Sequence, residues 1–492
     1  MPARRSVASL VLFVPILGWL FAGALLAQTQ PSSPPQPSAS ATLPSGSTPA
    51  AAGQGRFLVL SDVHFNPYEP ELFERLKQAK VEKWPEILAA APTQGQKLGS
   101  DSSYALVRSV VDDAARRVPD PDFILCPGDF LAHYWQETFD RLAHGVRSQQ
   151  PEVFRQFTMN SVALIVAELR QRFPGVPILP AVGNEDSFCQ DYGLEPGGEF
   201  LRDFAQAWRP LLHLPAEQQQ AFERTFRRGG YYDVPLPRTP GHRLIVLNSV
   251  FFSTEYFDAC QQPHQQRSGE QLAWLAQRLR AAEEANQRVW LLMHIPPGID
   301  VYDTAKRLAK NEPVQTFWHN EYASEFLKLA DRYRRTLQWA FAGHTHMDDF
   351  RAPLVAGQVA VPFKLVPAVS PVFGNNPAYQ AYTYRRDDGQ IEDYQAYYLP
   401  LAGQRDSDML PAWRPEYSFR QAYEAGPLTA ESLVTLSRTL QTQPRLRQRF
   451  LTWYNASAPL DAAPNFWPVV SAAMFEALPE PFLKRLRNLP HE

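Results

Sequence analysis

The feature that most restricts the fold of this chain is a series of short apolar runs, each followed by polar residues. Six runs have the length and the β-branched and aromatic content of buried strands: residues 57–64, 123–129, 176–184, 243–249, 289–294 and 339–346. Helix-like stretches lie between them, for example Ser161–Phe173 and Gly269–Ala285. Strands that alternate with helices predict a layered α/β domain, with mixed sheets where the connections are short.

Five of the six runs end in side chains that are able to bind a metal ion. These side chains are Asp62, His64, Asp129, Asn184, His294, His344 and His346. Each short motif is common by itself in turns and on surfaces, so the order of the motifs carries the argument. Ligands of open α/β sheets bind beyond the carboxyl ends of the strands. We therefore expect these seven side chains to converge on one crevice.

The residue types indicate which ions such a crevice would take. Imidazole, carboxylate and amide oxygen suit zinc, iron or manganese, whereas a cage of oxygen ligands would indicate magnesium or calcium. Seven side chains are more than one tetrahedral ion needs, and they suit two ions that share a bridging carboxylate. Two ions about 3.5–4 Å apart clamp a phosphate and activate a water for in-line attack.

In combination the motifs resemble the calcineurin-like metallophosphoesterases, whose pattern is D-x-H, G-D, G-N-H-[DE], H and G-H-x-H. Three further stretches are similar to the acid sphingomyelinase-like phosphodiesterase branch: "GDFLAH" (128–133), "HIPPG" (294–298) and "SPVFGNNPAY" (370–379). The resemblance implies an α/β fold of the four-layer type, a β-sandwich flanked by helices. It also implies hydrolysis of a phosphodiester or phosphoanhydride bond by a metal-bound hydroxide.

The resemblance divides the ligands between two ions, zinc by family expectation, with iron and manganese as alternatives. One ion would take Asp62, His64, Asp129 and His346, and the other would take Asp129, Asn184, His294 and His344. Asp129 would therefore be the bridge. His133, four residues after it, would stand near the leaving-group oxygen and protonate it as the general acid.

The chain departs from the family pattern at Glu185, which stands where the family has its catalytic histidine. A carboxylate beside a bound phosphate is repelled unless it is protonated or turned away. An alternative function is therefore a catalytically impaired, metal-binding relative that acts through interactions. Asp186 fits the family's next acidic position, where we expect a supporting or turn role. The alternative for the substrate is sphingomyelin, which would make the protein a sphingomyelin phosphodiesterase.

Both ends of the chain differ in composition from the predicted catalytic domain at residues 56–400. Residues 1–27 have the charged, apolar and small-residue layout of a secretory signal peptide, with an uncleaved anchor as the alternative. Residues 28–55 are rich in Pro, Ser and Ala and predict a disordered linker. Residues 401–492 carry leucines at helical spacing and predict a small helical subdomain. We expect export, to a periplasm or the extracellular space.

The composition of the chain limits the kinds of partner that it is expected to bind. A formal net charge of −3 gives no support for a role in coating nucleic acid. No segment beyond the signal region predicts a membrane span, and we expect a monomer that acts on a small phosphate ester, nucleotide, polyphosphate or phospholipid headgroup.

In an exported chain, Cys189 and Cys260 are expected to form a disulfide, because each follows the end of a strand. Cys126 lies within a predicted strand, so we expect its thiol to be buried.

Overall fold

The computed structural model describes residues 53–90, 96–145, 150–257, 265–401, 410–463 and 465–489. The predicted signal peptide and all but the end of the predicted linker lie outside these ranges. The first strand begins at Gln54, inside that predicted linker, because residues 54–56 pair with residues 383–385 of a neighbouring strand. No helix in the described part of the chain is both long and apolar enough to cross a membrane.

Two six-stranded sheets dominate the described residues. The strands in chain order are β1 Gln54–Val59, β2 Phe123–Cys126, β3 Ile178–Pro180, β4 Tyr232–Pro235, β5 His242–Val246, β6 Arg288–Leu292, β7 Leu337–Ala342, β8 Asp349–Arg351, β9 Leu354–Val355, β10 Gln358–Val359, β11 Phe363–Leu365, β12 Ala378–Arg385, β13 Ile391–Tyr398 and β14 Arg414–Ser418. The first sheet has the order β14-β13-β12-β1-β2-β3 and the second has the order β4-β5-β6-β7-β11-β8. All six apolar runs of the sequence contain strands, as predicted.

Helices connect the strands and extend the chain beyond the second sheet. In chain order they are α1 Phe73–Gln78, α2 Trp84–Ala89, α3 Tyr104–Arg117, α4 Trp135–Leu142, α5 Pro151–Arg172, α6 Glu199–Trp208, α7 Ala216–Gly229, α8 Gln265–Glu284, α9 Val301–Leu308, α10 Asn320–Arg332, α11 Phe419–Tyr423, α12 Ala430–Thr442, α13 Pro444–Tyr454, α14 Phe466–Ala473 and α15 Pro479–Arg487. The two predicted helical stretches lie within α5 and α8, so both predictions are confirmed apart from one terminal residue each.

The two sheets pack face to face through aromatic side chains. Phe57 of β1 lies 5.3 Å from Trp290 and 5.8 Å from Phe341, between ring centroids, and both partners belong to the second sheet. Within its own sheet the same ring stacks on Phe123 and Tyr382. Large aromatic side chains bury 150–250 Å² each, roughly, so this layer is a main source of the sandwich's stability. The predicted β-sandwich with flanking helices is confirmed.

Strand direction decides where the loops of the predicted site emerge. In the first sheet β1, β2 and β3 are mutually parallel, and in the second sheet β5, β6 and β7 are mutually parallel. Parallel strands present their carboxyl ends at the same edge of a sheet. The loops after β1, β2 and β3, and those after β6 and β7, therefore carry the predicted metal ligands at one edge of each sheet.

The C-terminal residues both cover the sandwich and complete it. The leucines predicted at helical spacing lie in α12 and α13, so that prediction is confirmed. β14, however, pairs with β13 and forms an edge of the first sheet. The hydroxyl of Tyr417 in β14 also donates to Oδ2 of Asp348, at 2.8 Å, beside the second sheet. The predicted domain boundary near residue 401 remains a prediction.

Two of the three cysteines lie in the described residues. Cys126 is a buried free thiol in β2, as predicted, and burial raises its pKa. Cys189 takes part in a disulfide. Cys260, its predicted partner, lies outside the described residues, so the pairing remains a prediction.

Candidate metal centre

Loops from both sheets meet at this centre and are joined by backbone hydrogen bonds. The amides of Asp62 and His64, after β1, donate to the carbonyls of Gly128 and Asp129, after β2, at 3.1 and 3.0 Å. Across the sandwich, the amide of His344 donates to Oδ1 of Asp62 at 2.9 Å. The loop after β7 in the second sheet is therefore attached to the loop after β1 in the first.

Five of the seven predicted ligands have a left-handed backbone. Their φ angles are 50° at Asp62, 42° at His64, 56° at Asp129, 69° at His344 and 61° at His346. Positive φ is uncommon for residues other than glycine and costs about 1–3 kcal/mol each when the rest of the structure enforces it. Such conformations are incompatible with an extended strand, so β1, β2 and β7 end before these ligands.

Two glycines let the ligand loops approach one another. A Cβ at Gly183 would overlap the side chain and the amide of Asp129. A Cβ at Gly343 would overlap Oγ of Ser61 and Oδ2 of Asp62. Glycine is therefore required on the β3 and β7 sides because another ligand loop occupies the space of a side chain.

The first ligand group consists of buried side chains whose donor atoms face one another. Nε2 of His64 lies 3.1 Å from Nε2 of His346 and 3.5 Å from Oδ2 of Asp129. Nε2 of His346 lies 3.5 Å from Oδ1 of Asp62. The ligand atoms of Asp62, His64 and His346 all fall within 4.8 Å of one another, which is the spacing of donors around a single ion.

The second ligand group lies directly beside the first. Oδ1 of Asn184 is 2.9 Å from Nε2 of His294 and 2.9 Å from Nδ1 of His344. Oδ2 of Asp129 is 3.0 Å from the same nitrogen of His294. Because this oxygen also faces His64, it lies between the two groups. This is the position that a bridging carboxylate would need.

The electrostatics of the centre match, for most of its titratable ligands, the donor forms that metals bind. Burial lowers the pKa of His64 to about 4 and that of His344 to about 3, so both imidazoles are neutral. Burial opposes ionisation of Asp129, but the nearby His294 and His64 hold its pKa below the usual range. His294 and Asp62 depart from the ligand forms: burial lowers the pKa of His294, but Asp129 outweighs it and raises that pKa to about 9, and burial raises the pKa of Asp62 to about 6, so binding of metal would displace their protons. As donor types, the imidazoles and carboxylates present fit a pair of transition-metal ions.

Further residues, which the sequence did not reveal, hold the ligands in place. Oδ1 of Asp191 accepts from Nδ2 of Asn184 at 2.8 Å, which orients the amide oxygen toward the centre. The hydroxyl of Tyr192 lies 3.3 Å from Nε2 of His344. Such partners fix ligand orientation and raise metal affinity. Both lie in a loop without metal-ligand spacing, so no sequence signal distinguished them.

Asp186 has the supporting role predicted for it. Its two carboxylate oxygens accept hydrogen bonds from four backbone amides at 2.9–3.3 Å: those of Gly183, Asp129, Phe130 and Leu131. Burial and the charge of Asp129 raise its pKa to about 7, against the lowering effect of these amides. One side chain thus joins the loops after β2 and β3.

His133 lies against the first ligand group and pairs with an acid. Its ring stacks on that of His64, with centroids 4.2 Å apart. Nδ1 donates to Oδ1 of Asp101 at 2.8 Å, and its backbone amide donates to Oδ2 of the same carboxylate at 3.0 Å. Burial lowers the pKa of His133, but the hydrogen bond and charge of Asp101 outweigh it and raise the pKa overall. Asp101 was not predicted, because it belongs to no motif.

Glu185 faces the same space as His133. Its side chain is buried, and its Oε1 lies 3.9 Å from Nε2 of His133. Its backbone amide donates to Oδ1 of Asp129 at 2.9 Å. Burial, followed by the charges of Asp191 and Asp129, raises the pKa of Glu185 well above its usual value. The side chain is therefore not turned away from the centre.

Comparison with known proteins gives a consistent result over most of the chain. Residues 55–348 match the calcineurin-like phosphoesterase family, and residues 352–458 match the acid sphingomyelin phosphodiesterase C-terminal region. The chain is 27% identical to the mouse (Mus musculus) acid sphingomyelinase-like phosphodiesterase 3b, over 83% of this chain and 84% of that protein. It is 25% identical to the cyclic GMP-AMP phosphodiesterase SMPDL3A of Bos taurus, over 84% of each. With the sphingomyelin phosphodiesterase of Homo sapiens the identity is 30%, over 60% of this chain and 44% of the other.

Proposed function

This chain belongs to the calcineurin-like phosphoesterase family, and we propose that it is an exported two-metal phosphodiesterase. The observation that carries the proposal is the position of Oδ2 of Asp129, which lies 3.5 Å from His64 and 3.0 Å from His294. One carboxylate oxygen thus faces both ligand groups. A fold alone does not fix a reaction, so this shared oxygen and the neighbouring His133 are the stronger support.

We assign one ion to Asp62, His64, Asp129 and His346, and the other to Asp129, Asn184, His294 and His344. Zinc is our choice, because each set contains two imidazoles together with oxygen donors. Two such ions, when bound, supply a clamp for phosphoryl oxygens and lower the pKa of a bound water. The completeness and burial of both sets argue against the alternative of a relative that has lost catalysis.

In our proposal His133 protonates the leaving group. Asp101 holds Nδ1 of the ring, so the remaining proton of the imidazolium sits on Nε2, which lies 3.9 Å from Oε1 of Glu185. Both residues line an open pocket of about 370 Å³. The carboxylate of Asp101 also stabilises the imidazolium of His133, so that His133 stays protonated and able to donate. A positioned acid of this kind contributes roughly 10²–10⁴-fold to rate. Asp101 acts through His133 and is a positioning residue.

A phosphodiester is the bond we favour over a phosphoanhydride. The three relatives named above are all called phosphodiesterases, one of them for cyclic GMP-AMP and one for sphingomyelin. We also propose export, which rests on the signal-like layout of residues 1–27. Mass analysis of the N-terminus of protein recovered from the medium or periplasm tests it, and retention of residues 1–27 there would favour an anchor.

A hydrolysis screen tests the proposed activity. The metal-loaded protein is compared with chelator-stripped protein on sphingomyelin in detergent, a cyclic dinucleotide, bis-p-nitrophenyl phosphate and polyphosphate. We expect cleavage of at least one phosphodiester that disappears on stripping and returns with zinc. If the protein holds two metals and cleaves none of the four compounds, the function is the non-catalytic alternative, whereas cleavage of polyphosphate alone would favour the phosphoanhydride.

A further inference from the structure

A surface cleft of about 190 Å³ lies between α6 and α7. The two helices pack through aromatic rings, since Phe204 of α6 stacks on Phe226 of α7 with the centroids 5.8 Å apart. The small, buried side chain of Ala205 belongs to the lining of the cleft, and longer side chains surround it. The packing of two helices, and not a loop, therefore forms the cleft.

Cationic side chains dominate the lining of this cleft. The α6 side contributes Arg202, Gln206 and Arg209, and α7 contributes Glu223 and Arg227. Residues three or four positions apart share a helix face, so each set points to the same side of its helix. Three arginines and one glutamate give the lining a formal net charge of +2, whereas the whole chain has −3. Like charges that line one concave space attract a ligand of the opposite charge.

The arginines of the cleft keep hydrogen-bond donors that are available to a ligand. Nη1 of Arg209 donates to the glutamate of the lining at 2.9 Å, which leaves the other donors of that guanidinium. Nε of Arg202 donates to Asp203 at 3.0 Å, and its Nη2 lies 3.5 Å from Glu199. Within the described part of the chain, Arg227 forms no ion pair. A guanidinium carries more N–H donors than these pairs use, and exposed ion pairs of this kind are weak enough for a ligand to displace.

Helix α6 separates the cleft from the metal centre. Its opposite face carries Phe204 and Trp208, whose ring centroids lie 5.7 and 4.8 Å from that of Phe130, the residue after Asp129. The cleft shares no lining residue with the pocket beside His133, and its lining contains none of the seven predicted metal ligands. A ligand in the cleft would therefore touch neither the metal ligands nor a substrate bound to them.

We propose that this cleft is a binding site for a phosphate group, either free or as the monoester of a small molecule. A dianionic phosphate matches the net charge of +2 in the lining, and its oxygens accept hydrogen bonds from guanidinium groups on both helices. A carboxylate carries a single charge and has its oxygens in one plane, so one arginine satisfies it. The site goes beyond the proposed function and does not depend on it, because it lies away from the metal ligands.

Protection from phenylglyoxal, which modifies arginine side chains, tests the site in the metal-loaded protein. Mass spectrometry follows the modification of Arg227 and of Arg224, which is exposed on the same helix but does not line the cleft. Inorganic phosphate and glycerol 3-phosphate should each slow the modification of Arg227 by roughly threefold or more. Acetate at the same ionic strength should have little effect, and Arg224 should react at the same rate throughout. Phosphate bound at the metal centre does not enter this measurement, because Arg227 lies away from the metal ligands.

The two phosphate compounds distinguish the possible sources of the ligand. Protection by both would show that the phosphate group is sufficient, and protection by glycerol 3-phosphate alone would assign the site to monoesters. An unchanged rate at Arg227 with both compounds would overturn the inference. Equal protection by acetate, or equal protection of Arg224, would also overturn it.

Variants of the lining test the site a second time. The phosphate concentration that half-protects Arg202 should rise roughly 3–10-fold in Arg227→Gln, because one cation of the cleft is lost. It should fall in Glu223→Gln, which removes the acid of the lining, and it should stay the same in the matched control Arg224→Gln. Metal content and hydrolysis should be unchanged in all three variants, so a failure of the proposed function leaves this test intact. An unchanged half-protecting concentration in Arg227→Gln would overturn the inference.

Discussion

At the scale of single residues, the pairing of His133 with Asp101 would give the proposed reaction a direction. The imidazole lies between a ligand of the first metal set, His64, and the open pocket. Its Nδ1 is occupied by the carboxylate, so only Nε2 can exchange a proton with a substrate. Under the proposed mechanism, the leaving group would therefore lie on the pocket side of the centre.

Replacing His133 should affect poor leaving groups most. We expect His133→Ala to lower kcat on an alkyl phosphodiester by roughly 10²–10⁴-fold, because an alkoxide needs the proton. A p-nitrophenyl ester should lose much less, since its phenolate leaves unprotonated. The exposed His319 provides the control variant, His319→Ala, which should leave both rates unchanged. An equal loss on both substrates would exclude the role of general acid.

The charge of Asp101 should set the alkaline limb of the pH profile. An acid works below its pKa, so kcat/KM should fall as pH rises through the pKa of His133. That pKa is raised by Asp101 against the lowering effect of burial. In Asp101→Asn the effect of burial remains, so the limb should move to lower pH. Steady-state kinetics on an alkyl diester measures this, and an unmoved limb would mean that another group supplies the proton.

At the scale of the elements, the loops after β2 and β3 depend on Asp186. In Asp186→Asn one of the two oxygens becomes an NH₂ group that cannot accept from backbone amides. The buried amides on that side lose their partner, which costs about 1–3 kcal/mol in the free energy of unfolding. Urea denaturation of the metal-free protein should show this loss. Asp203→Asn, at an exposed ion pair with Arg202, should cost less than about 1 kcal/mol.

The positions of the ligand-bearing strands along the chain could be predicted from the sequence, but the order of these strands in the sheets could not. The apolar runs located six strands, because local hydrophobicity and strand length encode them. The left-handed residues that end β1 and β7 could not be predicted, since only the packed loops enforce such conformations. The division of the strands into two sheets depends on distant pairings, such as β1 with β12. The segments that form β12 and β13 contain three tyrosines each, a composition that favours strands, but no strand was predicted there.

The residues of the candidate site likewise fall into those that the local sequence predicts and those that only the fold brings together. Residues in motifs, such as Asn184 and His346, could be assigned from spacing and order. Asp101, the partner of His133, and Tyr192, the partner of His344, lie in loops whose sequence carries no motif, and only the folded backbone brings them to these histidines. The pocket beside the centre is also invisible in the sequence, because its lining residues are spread from residue 133 to residue 257.

At the scale of the whole molecule, one buried polar network ties the C-terminal residues to both sheets. Lys364 of β11 pairs with Asp348, and Oδ2 of that carboxylate accepts from Tyr417 of β14 and from Gln380 of β12, both at 2.8 Å. The amide of Asp348 also donates to the carbonyl of Tyr454 in α13, at 3.0 Å. The C-terminal residues that cover the sandwich therefore contribute to the stability of the two sheets.

Removal of one hydroxyl should reveal this dependence. We expect Tyr417→Phe to lower the free energy of unfolding by about 1–3 kcal/mol, because Asp348 loses a buried hydrogen bond. The specific activity of the folded variant should stay unchanged, since Tyr417 touches no residue of the metal centre. Tyr398→Phe, at a half-buried tyrosine of the neighbouring strand, is the control and should cost less than about 0.5 kcal/mol. Equal stability of the two variants would contradict the network's role.

The most direct test of the two-metal account is the metal content of the purified protein and two of its variants. Elemental analysis should find close to two transition-metal ions per chain in the wild type and in the control His319→Ala. His64→Ala should retain about one, because His64 belongs to a single set. Asp129→Ala should retain almost none while remaining folded by circular dichroism, because its Oδ2 faces both sets. Two ions retained in Asp129→Ala, or no more than one in the wild type, would contradict the account.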